Sequence, residues 1–284
     1  MKELRTITVI HLIWIPYGVS LFKRFIDSYL GCSAGNEHVL LLVFNGVNNP
    51  SDTMEYHEYM KAFNISYTSV EFREGQDLEC YFKASERSPS SYIILLNSFS
   101  VILGRDWLRK FIDQFSDPAI GVVGATASYQ SYYSSVYQKH PTNWEGARGF
   151  LYNFRKYKLF IKAFFYWRIL FKPFPNPHLR TNAFMVRRES FLEMKKRPVN
   201  TKFKAYQFEN GRNSLTNFYL AKGLKVLVVD KYGKTFEPTE WKSSKTFWTD
   251  NQENLLVSDN QTTLYADASA TEKKEMTRLA WGTI

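Results

Sequence analysis

Cysteine is almost absent from these 284 residues: Cys32 and Cys80 are the two, and they show no metal-ligand spacing. That usage fits a reducing, cytoplasmic setting, with a single disulfide between them left open. Long apolar runs are also missing. No stretch of roughly 18 uncharged apolar residues occurs, which argues against a membrane-spanning helix. The short run Ile7 to Ile15 is broken by His11 and lacks a small-residue cleavage site, so it reads as a first buried strand and not as a leader. Internal repeats and low-complexity linkers are absent too, and the chain reads as one domain over 1–284, with halves of about 1–128 and 129–284.

What is present is apolar and basic. Hydrophobic residues make up 44% and aromatics 17%, enough for a substantial core, and the net charge is +10. Such a charge favours an anionic partner: nucleic acid, an anionic membrane face or a phosphorylated small molecule.

The first hundred residues alternate strand and helix. Strands are expected at Thr6–Ile13, His38–Phe44, Ile65–Phe72 and Tyr92–Leu96. Helices are expected at Ser20–Leu30, Thr53–Phe63 and Leu78–Glu86. Val39 to Phe44 is apolar without interruption, as in a parallel strand covered on both faces. A helix at Trp107–Phe115 and a strand at Ile120–Ala125 follow, the glycines of the latter suggesting close backbone approach. Further on come a strand at Ala183–Val186, a helix at Ser214–Lys222 stopped by Gly223, and a strand at Lys225–Val229. The stretch Glu240 to Trp281 reads as a polar tail ending in a helix from about Ala270. This alternation implies an α/β, doubly wound sheet with ligands beyond the carboxyl ends of its strands.

The order of elements, with Tyr92-Ile93-Ile94-Leu95-Leu96-Asn97-Ser98-Phe99-Ser100 and then Asp106-Trp107-Leu108, resembles the GT-A glycosyltransferases over about 5–230. Within these it is most similar to the inverting family 2 group. The resemblance implies a doubly wound mixed sheet flanked by helices, a nucleotide-sugar donor, and transfer to a glycan or lipid-linked acceptor in surface polysaccharide or lipopolysaccharide synthesis. It also implies a divalent metal held by acids at the end of the fourth strand. Here Asn97, Ser98, Phe99 and Ser100 stand instead, and amides and hydroxyls are weak ligands for Mg²⁺ or Mn²⁺. Metal dependence is disfavoured and no metal ligand is assigned. Arg180 or Arg212 would then supply the neutralising charge.

By the same resemblance, Pro16, Asn45, Asp77, Asn97, Ser98 and Ser100 line the nucleotide-sugar region. Asn45 would pair with a base edge, with plain turn chemistry at Asn45-Gly46 as the other reading. Asp77 would contact the nucleoside, or cap the helix that follows. Glu209, in Phe208-Glu209-Asn210-Gly211-Arg212, is placed as the general base ahead of a helix ending in Gly223, although Asn210 replaces a second acid. His178, Arg180, Asn182 and Arg212 are expected at the acceptor or a phosphate. Arg187-Arg188 are expected in solvent, and the cluster Asp259-Asn260-Gln261-Thr262 reads as loop capping. Trp241, Trp248 and Trp281 either stack on sugars or pin the tail.

From Arg148 to Lys172, cations and aromatic rings interleave with no acid between them. An amphipathic helix on an anionic membrane, a buried helix with snorkelling lysines and a nucleic-acid groove all fit. The first suits a peripheral position at the inner face of the membrane. Two functions outside catalysis stay open: an inactive GT-A-like module that binds glycan or nucleotide, and a nucleic-acid-binding protein favoured by charge alone.

Overall fold

In the computed structural model, residues 6–63, 65–134, 157–158, 161, 165–196 and 199–282 are described. In chain order the elements are β1 (Ile7–Trp14), α1 (Val19–Gly31), β2 (Val39–Asn45), α2 (Met54–Lys61), β3 (Tyr67–Phe72), α3 (Asp77–Arg87) and β4 (Tyr92–Leu96). Next are β5 (Val101–Ile102), α4 (Trp107–Ile112), β6 (Ile120–Gly124), β7 (Ala127–Ser128), β8 (His178–Leu179) and β9 (Ala183–Arg187). The remainder are α5 (Arg188–Leu192), α6 (Lys202–Asn210), α7 (Leu215–Ala221), β10 (Lys225–Val229), β11 (Thr235–Phe236), β12 (Val257–Ser258), α8 (Asn260–Asp267) and α9 (Ala270–Trp281).

Eight strands form one sheet in the order β11-β10-β6-β9-β4-β1-β2-β3. All run in one direction except β9 and β11. Successive strand side chains point to opposite faces. Ile10, Leu12, Ile93 and Leu95 therefore enter one core, and Val9, Ile13, Ile94 and Leu96 the other. Helices α1, α2 and α4 cover the second face with Phe22, Phe25, Tyr56, Met60, Trp107 and Phe111. On the first face, Tyr81 and Phe82 of α3, Phe191 of α5, Phe208 of α6 and Tyr219 of α7 close the other core. This is the α/β doubly wound mixed sheet flanked by helices that the sequence implies.

The expected close approaches occur. A Cβ on Gly121 would lie 2.5 Å from Cδ1 of Tyr219, and one on Gly124 would lie 2.8 Å from Cδ2 of Leu179. Both cysteines are free thiols, Cys80 being buried. Among the described residues no helix is long and apolar enough to cross a membrane.

Several expectations change. Helix α6 has no counterpart in the sequence reading, because only Phe208 and Asn210 of its nine residues are buried and no apolar stripe announces it. It starts where the Thr201 side chain accepts the Lys204 N–H, a local cap. Arg187 and Arg188 are half-buried and not fully solvated: the Arg187 guanidinium donates to the Ile120 carbonyl and lies over Phe115, and Nε of Arg188 is buried. Nor is the tail a polar appendage. Trp241, Phe247, Trp248, Tyr265 and Trp281 all join the core that also holds Phe184 and Tyr219. The indole N–H groups of Trp241, Trp248 and Trp281 each donate to a backbone carbonyl, so these rings pin the tail. Of the basic segment 148–172, residues 148–156, 159–160 and 162–164 lie outside the described residues.

Candidate functional site

From β1 the chain proceeds to β2 and β3 on one side, while β4 lies on the other. The sheet order thus reverses between β1 and β4, and the crevice beyond their carboxyl ends is where such sheets bind ligands. Two segments meet there. After β1, Ile15–Tyr17 form a single 3-10 turn carrying exposed Pro16. After β4 comes Asn97 to Ser100. The two are joined by the Trp14 N–H, which donates to Oγ of Ser98 at 3.0 Å, and by the rings of Tyr17 and Phe99, 4.9 Å apart.

The 97–100 turn satisfies itself. Oδ1 of Asn97 accepts from the Phe99 N–H at 3.0 Å and from the Ser100 hydroxyl at 3.2 Å. Ser98 and Ser100 are buried. The oxygens that would have to coordinate a divalent ion are already engaged, and none is a carboxylate. Among the described residues no group of three His, Cys, Asp or Glu could hold a metal. This donor set does not fit the Mg²⁺ or Mn²⁺ that the resemblance implies.

Asn45, at the end of β2, is fully buried, and its amide donates to the Gly75 carbonyl at 2.8 Å. It holds the loop that carries Asp77 and does not present an amide edge to the crevice. Asp77 opens α3 as its first residue, and the N-cap position belongs to Gln76. Desolvation by the surrounding chain raises the pKa of the Asp77 carboxyl from its ordinary value, while part of the residue stays exposed.

The second half of the chain reaches the crevice through antiparallel β9. Its lead-in, Asn176 to Asn182, is dense with buried polar groups. The Asn97 N–H donates to the Asn182 carbonyl at 3.1 Å, which ties the turn after β4 to this segment. Oδ1 of Asn182 accepts from the Thr126 hydroxyl at 2.7 Å. One residue earlier, Thr181 gives both its N–H (2.8 Å) and its hydroxyl (2.6 Å) to Oε2 of Glu209. Glu209 sits ahead of α7 and Gly223 as expected, but it is itself in the last turn of a helix, α6, and it faces the Thr181–Asn182 corner. No described residue bonds its Oε1.

His178 is buried, and its Nδ1 donates to the Asn176 carbonyl at 2.8 Å. Burial pushes its pKa below the ordinary histidine value, and the Glu209 charge pulls it part of the way back. The neutral ring, with its proton on Nδ1, leaves Nε2 as an acceptor. Arg180 is not free for a ligand in the way expected: Nη2 pairs with Oδ2 of Asp259 at 2.7 Å, the two side chains being 12% and 1% exposed. Its guanidinium also stacks 4.3 Å from the centre of Phe247. Asp259 caps α8 as the sequence suggested, but this ion pair gives it a second role.

Arg212 does not join the cluster. It is exposed, and its guanidinium donates to the Arg168 carbonyl at the end of the helical stretch 165–170. Beside it a pocket of about 430 Å³ opens between that stretch, α6 and Phe218. A larger trough of about 1310 Å³ lies at the amino ends of the strands, around Thr6, Val39 and Tyr92, away from the crevice. Sequence reasoning missed Thr126, Thr181, Asn176 and Asn210 as parts of the cluster. Thr126 carried no signal, whereas Asn176 and Thr181 stand in the polar stretch before β9 and Asn210 in the Glu209 motif, where the amide of Asn176 donates to the Asn210 carbonyl at 2.7 Å.

No family model matches the chain, and no curated protein matches its sequence. Solved structures share part of the fold. A mannosyltransferase, PcManGT from Pyrobaculum calidifontis, solved in complex with GDP-Man and Mn²⁺, is 12% identical over 66% of this chain and 46% of that one, with a TM-score of 0.43. GalNAc-T7 with UDP, GalNAc and Mn²⁺ is 16% identical over 44% and 23%, at a TM-score of 0.36. TarS 1-349 from S. aureus in complex with UDP-GlcNAc is 12% identical over 42% and 33%, at 0.32. The chain spans less than half the length of each.

Proposed function

We propose that this chain is a glycosyltransferase that takes a sugar from a nucleotide-sugar donor and passes it, with inversion, to a glycan or lipid-linked acceptor. One observation carries the reading. The Asn97 N–H bonds the Asn182 carbonyl and the adjacent Thr181 bonds Glu209, so the Thr181–Asn182 backbone joins the turn at the switch point to a carboxylate with one oxygen unengaged by any described residue. Oε2 of Glu209 is fixed in place, and Oε1 is left to accept the proton of the attacking hydroxyl. Asp77 faces the nucleoside while Asn45 positions its loop. Pro16, Asn97, Ser98 and Ser100 form the floor under the diphosphate, and Asn182 links that floor to the base. Arg180, offset by Asp259, acts as a directional donor to the diphosphate or acceptor and not as a net cation. In its neutral state His178 offers Nε2 to the acceptor. A divalent ion would neutralise a leaving diphosphate, but the residues at 97–100 do not fit one, and no step here depends on it.

The two parts, about 1–128 and 129–284, act in this reading as nucleotide and acceptor halves of one domain in the cytoplasm, with 148–172 toward an anionic membrane surface and surface polysaccharide as the pathway. The self-satisfied 97–100 turn favours one competing reading, a GT-A-like module that binds nucleotide or glycan without turnover. Calorimetric titration with a panel of nucleotide sugars and diphosphates, with and without Mn²⁺, separates the two. One nucleotide is expected to bind regardless of Mn²⁺, and Glu209→Gln is expected to keep that binding while transfer falls by about 10² to 10⁴. Binding without any transfer by the unaltered chain would establish the module instead. No response to any nucleotide would rule out the transferase.

A further inference from the structure

The 430 Å³ pocket is of the size that holds a small ligand, and its character differs sharply from that of the crevice. Its walls include Leu170, Met194, Val199, Phe208 and Phe218, all apolar. Helix α6 contributes Lys204, Gln207 and Phe208, at i, i+3 and i+4 on one face, and its cap residue Gly211 completes that side. Glu209 lies on the adjoining face, roughly 100° round the helix from Phe208. The pocket and the carboxylate assigned above as the base therefore share one helix.

Two cations border the pocket. Arg212 bonds a backbone carbonyl and Lys204 bonds the Asn200 amide oxygen at 3.0 Å, and neither has a carboxylate partner among the described residues. Glu193, the acid of the lining, is tied to Lys222. The opening is edged by apolar surface: Ile169, which lines the pocket, is 70% exposed, and Phe165 and Tyr166 beside it are 63% and 52% exposed. An apolar cavity bordered by two cations that no described carboxylate offsets, with an exposed greasy lip, matches a molecule with a hydrocarbon chain and an anionic head.

We propose that this pocket binds the hydrocarbon chain of a lipid-linked acceptor, with Lys204 and Arg212 on its phosphate and the Ile169 lip receiving the chain from a membrane surface. The identification of the lipid as acceptor rests on the transferase reading; the binding of an anionic amphiphile does not. That separation sets the test. Dodecyl phosphate, kept below its micelle concentration, is titrated into the full chain by calorimetry, beside inorganic phosphate and dodecanol. Saturable binding of dodecyl phosphate is expected, with dodecanol about tenfold weaker and inorganic phosphate showing no measurable heat. Lys204→Glu with Arg212→Glu is expected to weaken it by about tenfold or more, and Ile169→Asp to weaken it with an unchanged thermal midpoint, since that side chain is exposed. Absence of saturable binding, equal binding of inorganic phosphate, or indifference to both variants would overturn the proposal. Nucleotide binding that persists in that event would leave the transferase reading standing. Conversely, amphiphile binding without any nucleotide response would uphold the pocket and remove the acceptor assignment.

Discussion

His11 illustrates what a single residue imposes on its surroundings. It sits in the middle of β1, fully buried, with its ring stacked 3.6 Å from that of Phe25 and neither ring nitrogen hydrogen-bonded. Burial lowers its pKa to about 3. The ordinary histidine value is about 6.5. Between the two, the unfolded chain takes up a proton that the folded chain refuses, so stability is full above about pH 6.5 and falls as the solution is acidified toward the folded value. His178, also lowered, adds to the same slope. Urea unfolding from pH 7 to pH 4 should show this decline, and His11→Phe should reduce its steepness by about one proton, on the order of 1.4 kcal/mol per pH unit. An unchanged slope in the variant would assign the acid sensitivity elsewhere. Residue identity was legible in the sequence here, but the role was not. The same holds for Asn45: its position at the end of the second strand could be read, whereas the direction of its amide, toward Gly75, depends on how the 73–77 loop folds back.

At the scale of elements, apolar period decided most assignments. The run Val39 to Phe44 had to be covered on both faces, and β2 lies between β1 and β3 with helices on either side. Strands β4 and β10 begin and end where the sequence placed them. Close helix-to-sheet contact was legible through Gly121, and it gives a sharp expectation. Gly121→Ala would drive a methyl into the buried ring of Tyr219, so denaturant unfolding should show a loss of about 1–3 kcal/mol. A change under about 0.5 kcal/mol would mean that α7 shifts freely against the sheet. Helix α6 was not legible. Its surface is mixed, its start depends on Thr201, and its last turn is shaped by the bonds Glu209 makes to Thr181, a partner 28 positions away. That Glu209 itself lies in a helix, besides preceding α7, was therefore missed.

For the whole molecule the tail is the decisive feature. β12 pairs with β5, the three tail tryptophans enter the core, and Asp259 reaches back to Arg180 across 79 positions. Removing one partner of this nearly buried pair leaves the other charge uncompensated. Asp259→Ala and Arg180→Ala should each cost about 3–5 kcal/mol, and the double variant clearly less than their sum. A double-mutant cycle by thermal or urea unfolding reads this directly, and strict additivity would show that the pair contributes nothing as a pair.

The sequence by itself determined the alternating elements, the doubly wound sheet and the missing acids after the fourth strand, because those follow from local apolar period and from the chemistry of single side chains. Only the tertiary structure decided that Glu209 meets Thr181, that Arg180 is held by Asp259, that the tryptophans anchor the tail and that a pocket lies beside α6. Each of these joins segments far apart in the chain, and a pairing between distant polar groups leaves no periodic trace in the residues between them.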